Sequence, residues 1–268
     1  MTTTAELTST RHTRELAGIQ TSLVTGGQGE PLLILHDETG HPGWMRWHEN
    51  LSQDFTLNIP MMPGYGGSAR LDWAMNMRDM TGWYLEALDD MDLGQVSVVG
   101  FSLGGWLAAE LAAMNPERFK KLVLVSAAGV RPPVGEILDI FLITVPVFLE
   151  ASVADRSSVA EFPTICPDEP TPDQVMDWED AREVACLLGW RPYMHNPTLP
   201  HLLHRLKRLP TLIVWGREDA VIPLSAGQLY NESIPGSRLA VLDNCGHRPE
   251  IERPDEFTHT LSNFLKED

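Results

Sequence analysis

Three residues in one chain order can build a proton-relayed nucleophile: a serine at a sharp turn, then an acid, then a histidine. The serine is Ser102, within Val98-Val99-Gly100-Phe101-Ser102-Leu103-Gly104-Gly105-Trp106. An apolar run leads into Gly-x-Ser-x-Gly and then into a helix pattern from Trp106 to Leu111. That context is the one a nucleophile elbow requires. Glycines on either side of the serine leave room where a Cβ would crowd the turn. The helix that starts there presents free N–H groups and a positive dipole end to developing negative charge. The plain alternative is a strand-to-helix loop with a capping serine; the flanking apolar run and helix pattern favour the elbow.

A serine nucleophile needs a base and an acid that orients the base. Asp219 follows the apolar run Thr211 to Trp215 and its glycine turn, which places a carboxylate at the end of a strand. Neighbouring Glu218 is an alternative acid, and a turn role before Pro223 is the bland reading of Asp219. His247 lies in Gly246-His247-Arg248-Pro249. Of nine histidines only this one falls in a glycine-containing loop after the last predicted strand and before a terminal helix, Pro254 to Leu265. A satisfied surface histidine is its plain alternative. Asp243, on the same strand end as His247, is poorly placed to reach the imidazole. An oxyanion site completes the set, with one N–H from Leu103 and another from the loop His36-Asp37-Glu38-Thr39-Gly40-His41-Pro42-Gly43. A carboxylate beside an oxyanion repels it, so Glu38 is expected to contribute only its main-chain N–H, with the side chain turned away.

These residues need a scaffold of strands that end near one another. Apolar runs predict strands at Ile19–Val24, Leu32–His36, Phe55–Ile59, Val96–Phe101, Leu122–Ser126, Leu212–Trp215 and Leu239–Leu242. They alternate with helix-length segments, the pattern of an α/β protein with a mostly parallel sheet covered on both faces. Gly26-Gly27-Gln28-Gly29-Glu30-Pro31 reads as a hairpin turn between the first two strands. A phosphate loop is the sharper reading, disfavoured because no helix follows and the lysine is missing. The alternation stops after Ser126 and resumes at Leu212. The chain between is rich in proline and predicts helices at Gly135–Val145 and Asp173–Leu188. The expected architecture is therefore an α/β core of residues 1–129 and 209–268, with an inserted helical cap of residues 130–208 over the carboxyl ends of the strands.

Five stretches together resemble the α/β-hydrolase superfamily in its cap-bearing branch of esterases, carbon–carbon bond hydrolases, epoxide hydrolases and dehalogenases. They are Leu35-His36-Asp37, Pro63-Gly64-Tyr65-Gly66-Gly67-Ser68, Gly100 to Gly104, Trp215 to Asp219, and Gly246 to Pro249. The resemblance spans Ile19 to Leu265 and is weakest in the cap. It implies Ser102 as nucleophile, Asp219 as acid, His247 as base, and main-chain donors at Leu103 and Glu38. Two positions depart from the family pattern. His36-Asp37 replaces the usual His-Gly pair, and Met61-Met62 replaces the Asp that often precedes the Pro-Gly-x-Gly turn. Epoxide hydrolases and haloalkane dehalogenases carry Asp as nucleophile, so Ser102 argues against both.

The activity expected is hydrolysis of a small, largely apolar ester through an acyl-enzyme, without a cofactor or metal. Alternatives are cleavage of a carbon–carbon bond in a diketone-type substrate, a cofactor-free lyase or oxygenase reusing the Ser/His pair, or a non-catalytic receptor for a small ligand. Composition agrees with a globular chain: 43% of its 268 residues are hydrophobic, and 20 Lys plus Arg against 37 Asp plus Glu give a net charge of −17. An acidic surface disfavours nucleic acid and anionic membranes as partners. Ten acids between Glu150 and Glu183 face only Arg156 and Arg182, which places much of the excess in the cap. A solvated lid face is the plain account, and repulsion of anionic substrates the sharper one.

Residues 1 to 22 lack the apolar stretch of a signal peptide. Cys166, Cys186 and Cys245 form no paired motif, and a cytoplasmic location is expected. His201 and His204 have metal-ligand spacing but no third partner. Trp73, Met75, Met77 and Met80 are read as packing residues. The apolar segment Ile137–Leu149 is expected to face either the pocket or a second subunit of a homodimer.

Overall fold

The computed structural model describes residues 9–267, so residues 1–8 of the stretch read for a leader lie outside it. Its strands are β1 (Thr10–Leu16), β2 (Ile19–Gly27), β3 (Glu30–Leu35), β4 (Phe55–Pro60), β5 (Val96–Phe101), β6 (Phe119–Val125), β7 (Thr211–Gly216) and β8 (Arg238–Leu242). They form one sheet in the order β1-β2-β4-β3-β5-β6-β7-β8. Every pairing from β4 to β8 is parallel, whereas β1–β2 and β2–β4 are antiparallel. All six residues of β5 and all six of β7 are buried, as expected of strands covered on both faces.

The helices are α1 (Arg46–Ser52), α2 (Met77–Asp90), α3 (Ser102–Met114), α4 (Val145–Ala151), α5 (Phe162–Ile165), α6 (Pro172–Gly189), α7 (Leu224–Ser233), α8 (Pro249–Glu252) and α9 (Pro254–Lys266). Helix α3 is buried from Ser102 to Ala113. Its run of small and apolar residues lets it lie against β5 and β6 at the centre of the molecule.

Three expectations fail here for physical reasons. Strand β1 is missing from the sequence reading because Thr10 to Leu16 shows no apolar alternation, and all of its residues but Leu16 are exposed. Backbone pairing with β2, rather than burial, makes it a strand. Its charged side chains suit an edge. The glycine-rich segment Gly26 to Pro31 closes no hairpin: β2 pairs with β1 and β4, and β3 lies on the far side of β4. The helix expected at Gly135–Val145 begins only at Val145, where Pro146 fits the first turn. Deeper in a helix its ring would clash with the preceding turn and its missing N–H would leave a carbonyl unpaired.

Residues 130–208 carry α4, α5 and α6 and no named strand. Helix α6 spans the expected segment and is capped by Thr171, whose hydroxyl oxygen accepts from the Gln174 N–H at 3.2 Å. Of the ten acids from Glu150 to Glu183, all but Glu161 are exposed. Arg156 pairs with Glu150 and Asp168, and Arg70 with Asp180 and Glu183. Met77 and Met80 are buried, whereas Trp73 and Met75 are exposed. Within Ile137–Leu149, Ile140, Val145 and Phe148 are buried and Leu142 and Val147 are exposed. The three cysteines are free thiols. Among the described residues no helix is long and apolar enough to cross a membrane.

Candidate active site

Strand β5 delivers Ser102 into the turn before α3. Its φ of +46° is the left-handed conformation that L side chains avoid. Holding a non-glycine residue there costs about 1–3 kcal/mol, and the surrounding structure must enforce it. Gly104 shows how tightly the turn is packed, since a Cβ there would lie 2.3 Å from both the Leu35 and His36 carbonyl oxygens. These are main-chain atoms at the end of β3 and cannot move aside cheaply. Gly104→Ala is therefore expected to lose about 1–3 kcal/mol of stability or more, read as a lower midpoint in denaturant unfolding.

The turn aims the hydroxyl at the loop after β8. His247 Nε2 lies 3.0 Å from Ser102 Oγ, and His247 Nδ1 lies 2.9 Å from Asp219 Oδ2. The His247 and Asp219 side chains are 2% and 0% exposed, so solvent does not compete for these bonds. Asp219 is fixed in turn by its other oxygen, Oδ1, which accepts the N–H groups of Val221 and Ile222 at 2.9 Å each. The two loops meet because Gly216 has no side chain: a Cβ there would lie 1.9 Å from the Gly246 carbonyl oxygen. His247 is also tied to the segment after α4, its N–H donating to the Ser152 carbonyl at 2.8 Å.

The rival acids are occupied elsewhere. Glu218 accepts the Cys245 N–H at 2.9 Å, and Asp243 pairs with Arg217 at 2.5 Å on the surface. No third ligand joins His201 and His204 among the described residues.

Burial alone would lower the His247 pKa, but the charge and hydrogen bond of Asp219, with Glu38 adding to the rise only when ionised, outweigh it and raise the value above 6.5. A base must be neutral to accept a proton. Activity limited by this group is therefore absent at low pH and rises through a pKa above 6.5 as the imidazole deprotonates. A kcat/KM profile in which the acid limb falls below pH 6 would contradict that sign.

The loop after β3 departs from the sequence reading. Glu38 is 4% exposed, and its carboxylate faces the nucleophile: the Leu103 N–H, expected to serve an oxyanion, donates to Glu38 Oε2 at 3.4 Å. The side chain is therefore not turned away. The reason lies one residue earlier, in a buried pair that the motif search missed. Arg248 donates through Nη1 to Asp37 Oδ2 at 2.5 Å and through Nε to Ser152 Oγ at 2.9 Å. Asp37 also accepts the N–H and hydroxyl of Thr39 at 2.7 Å each. Asp37, standing where a glycine is usual, thus pins the loop to the residue after the base. The departure of His36-Asp37 from His-Gly was the available signal.

Residues of the 130–208 segment pack beside this site. Ile140, Phe141, Val145, Phe148, Trp178 and Ala185 line a cavity of about 20 Å³ beside Glu38, with Arg182 as its one cation. A cavity of that size holds roughly one water.

A serine on a strand-to-helix turn, with a buried Asp–His pair brought to it from the ends of β7 and β8, defines a serine hydrolase on a parallel α/β sheet. The chain belongs to the alpha/beta hydrolase fold family, whose model matches residues 30–254. It is similar to a 2-hydroxymuconate semialdehyde hydrolase of Pseudomonas sp. (strain CF600), 31% identical over 94% of this chain and 92% of the other. It is also similar to a pimeloyl-[acyl-carrier protein] methyl ester esterase of Nitrosomonas europaea, 31% identical over 87% of this chain and 94% of the other. Among solved structures, a variant of a meta-cleavage product hydrolase superposes with a TM-score of 0.77 at 25% identity, covering 96% of this chain and 98% of that one.

Proposed function

We propose that the protein hydrolyses a small, largely apolar ester through an acyl-enzyme on Ser102. The observation that carries this reading is the continuous hydrogen-bond line from Ser102 through His247 to Asp219. His247 takes the Ser102 proton as Oγ attacks the carbonyl carbon, the Leu103 N–H faces the oxygen that gains charge, and Asp219 holds the imidazole in the tautomer that leaves Nε2 free. His247 then protonates the leaving group, and water resolves the acyl-enzyme by the same route. The lining of Ile140, Phe141, Val145, Phe148 and Trp178 favours an apolar acyl or alcohol group. The partner is thus a small molecule that enters beneath the cap.

A second reading is hydrolysis of a carbon–carbon bond in a diketone-type substrate, using the same nucleophile. It is favoured by the similarity to the 2-hydroxymuconate semialdehyde hydrolase. Arg182 in the pocket wall would suit an anionic substituent of such a substrate. A panel of short p-nitrophenyl esters, thioesters, lactones and vinylogous 1,5-diketones, together with fluorophosphonate labelling, tests both. Turnover of esters with apolar acyl chains supports the first reading, and turnover of diketones alone supports the second. Absence of both turnover and labelling overturns the hydrolase reading.

A further inference from the structure

We propose that Glu38 is a further catalytic residue: as the neutral acid, its carboxyl O–H donates a hydrogen bond to the substrate oxygen that becomes the oxyanion, and as the carboxylate it blocks that position. This inference rests on the hydrolase reading and adds a proton-dependent gate to it.

Three observations converge on Glu38. Its Oε2 already sits against the Leu103 N–H, the donor an oxyanion would use. Its Oε1 is buried without a hydrogen-bond partner, which is costly for a carboxyl oxygen unless a further group occupies the site during the reaction. The side chain also forms part of the wall of the apolar cavity under the cap, so it faces the space from which a substrate must come. A charged carboxylate in that position would repel the tetrahedral oxyanion, whereas a protonated one meets it with a donor.

The surroundings favour the protonated form. Burial, then the charge of Asp37, push the Glu38 carboxyl above the usual carboxylate range, against the opposing pull of His247, Arg248 and the Ser102 hydroxyl. The charged and titratable groups around it come from every neighbouring element: Asp37 on its own loop, Tyr65 after β4, Ser102 at the elbow, His247 and Arg248 after β8, and Arg182 and Tyr193 from the cap. Burial raises the phenols of Tyr65 and Tyr193, and Arg248 is raised by its acidic neighbours despite burial, so these three stay out of the neutral range. Glu250, pushed up to about 7 by burial, titrates there but pairs with Arg248.

The step balances without another reagent. The Ser102 proton passes to His247 Nε2 while the Oγ–carbon bond forms. The carbonyl π pair moves onto oxygen, which takes over the Leu103 N–H from Glu38 Oε2 and accepts the Glu38 O–H. When the carbonyl re-forms, the bond to the leaving group breaks and His247 returns its proton to that group. Glu38 keeps its own proton throughout.

The test is the rate of Ser102 labelling by a fluorophosphonate, whose phosphoryl oxygen takes the oxyanion position, measured from pH 5 to 10 in wild type, Glu38→Gln, Glu38→Ala and Glu250→Gln. The wild-type rate is expected to fall on the alkaline side, by up to tenfold per pH unit once Glu38 ionises. Glu38→Gln keeps a donor that does not titrate and is expected to lose that alkaline limb while remaining labelled. Glu38→Ala is expected to react about 10²–10³-fold more slowly than the wild-type maximum, the usual cost of one oxyanion donor. Glu250→Gln keeps the limb. An alkaline limb unchanged in Glu38→Gln, or an alanine variant as fast as wild type, overturns this inference while the hydrolase reading stands. Failure of the wild type to label at any pH overturns both.

Discussion

Ser102→Ala is expected to abolish hydrolysis, with kcat falling roughly 10⁵–10⁶-fold while the fold is kept. The loss is large because the rest of the line acts only through this oxygen. His247 Nε2, 3.0 Å from Oγ, has no other acceptor or donor in the reaction once the hydroxyl is gone. Removing one oxygen from a buried position does not disturb the glycine-lined turn, and alanine at φ +46° is strained to the same degree as serine. Thermal unfolding should therefore change little. The measurement is turnover of the best ester from the substrate panel, with fluorophosphonate labelling alongside. Labelling that persists in the alanine variant would place the nucleophile elsewhere.

The second large effect is expected at Asp219→Asn, where kcat should drop about 10⁴-fold with little change in KM. Asparagine keeps Oδ1, so the bonds accepted from Val221 and Ile222 persist and the loop stays in place. The atom facing His247 Nδ1 becomes an amide nitrogen, which donates. To accept that donation Nδ1 must lose its hydrogen, and the ring proton moves to Nε2, where it points at Ser102 and can no longer be received from it. The imidazolium also loses the counter-charge that raises the His247 pKa, so the acid limb of the pH profile should shift downward in the residual activity. A loss of less than tenfold would show that Glu218 or another acid orients the base. The occupation of Glu218 by the Cys245 N–H argues against that outcome.

Both expectations concern residues that could be read from the chain before any fold was known. The elbow is legible because its geometry is local. Strand, glycine, serine, glycine and helix are contiguous, and the steric need for the glycines arises within a few residues. Strands β3 to β7 are legible because burial makes them largely apolar, and β8, partly exposed at the sheet edge, is legible from its short apolar run Leu239 to Leu242. Asp219 and His247 are legible because each directly follows such a strand, at ends that a parallel sheet brings to one side.

The edge strand β1 was illegible for the complementary reason. Its structure comes from pairing with β2, and pairing leaves no signature in side chains that face water. The false hairpin at Gly26 has a similar origin. A glycine-rich turn announces a reversal or a crossing equally well, and only the insertion of β4 between β2 and β3 decides which.

The orientation of Glu38 depends on contacts still more distant. Glu38 reads as a main-chain donor with its carboxylate excluded, since in isolation a charge beside an oxyanion is unfavourable. In the folded chain Asp37 is held by Arg248, 211 residues away, and that pair fixes the loop so that the next side chain points at Ser102. Burial also raises the carboxyl pKa, which eases the electrostatic objection. The sequence by itself singled out Ser102, Asp219 and His247, the residues proposed as nucleophile, acid and base, and the sheet that carries them, because each is marked by its neighbours along the chain or by the apolar strand it follows. Which carboxyl group lies against Ser102, and in which direction its titration shifts, was decided only in the tertiary structure, where a distant arginine fixes the loop and the exclusion of water acts on the side chain.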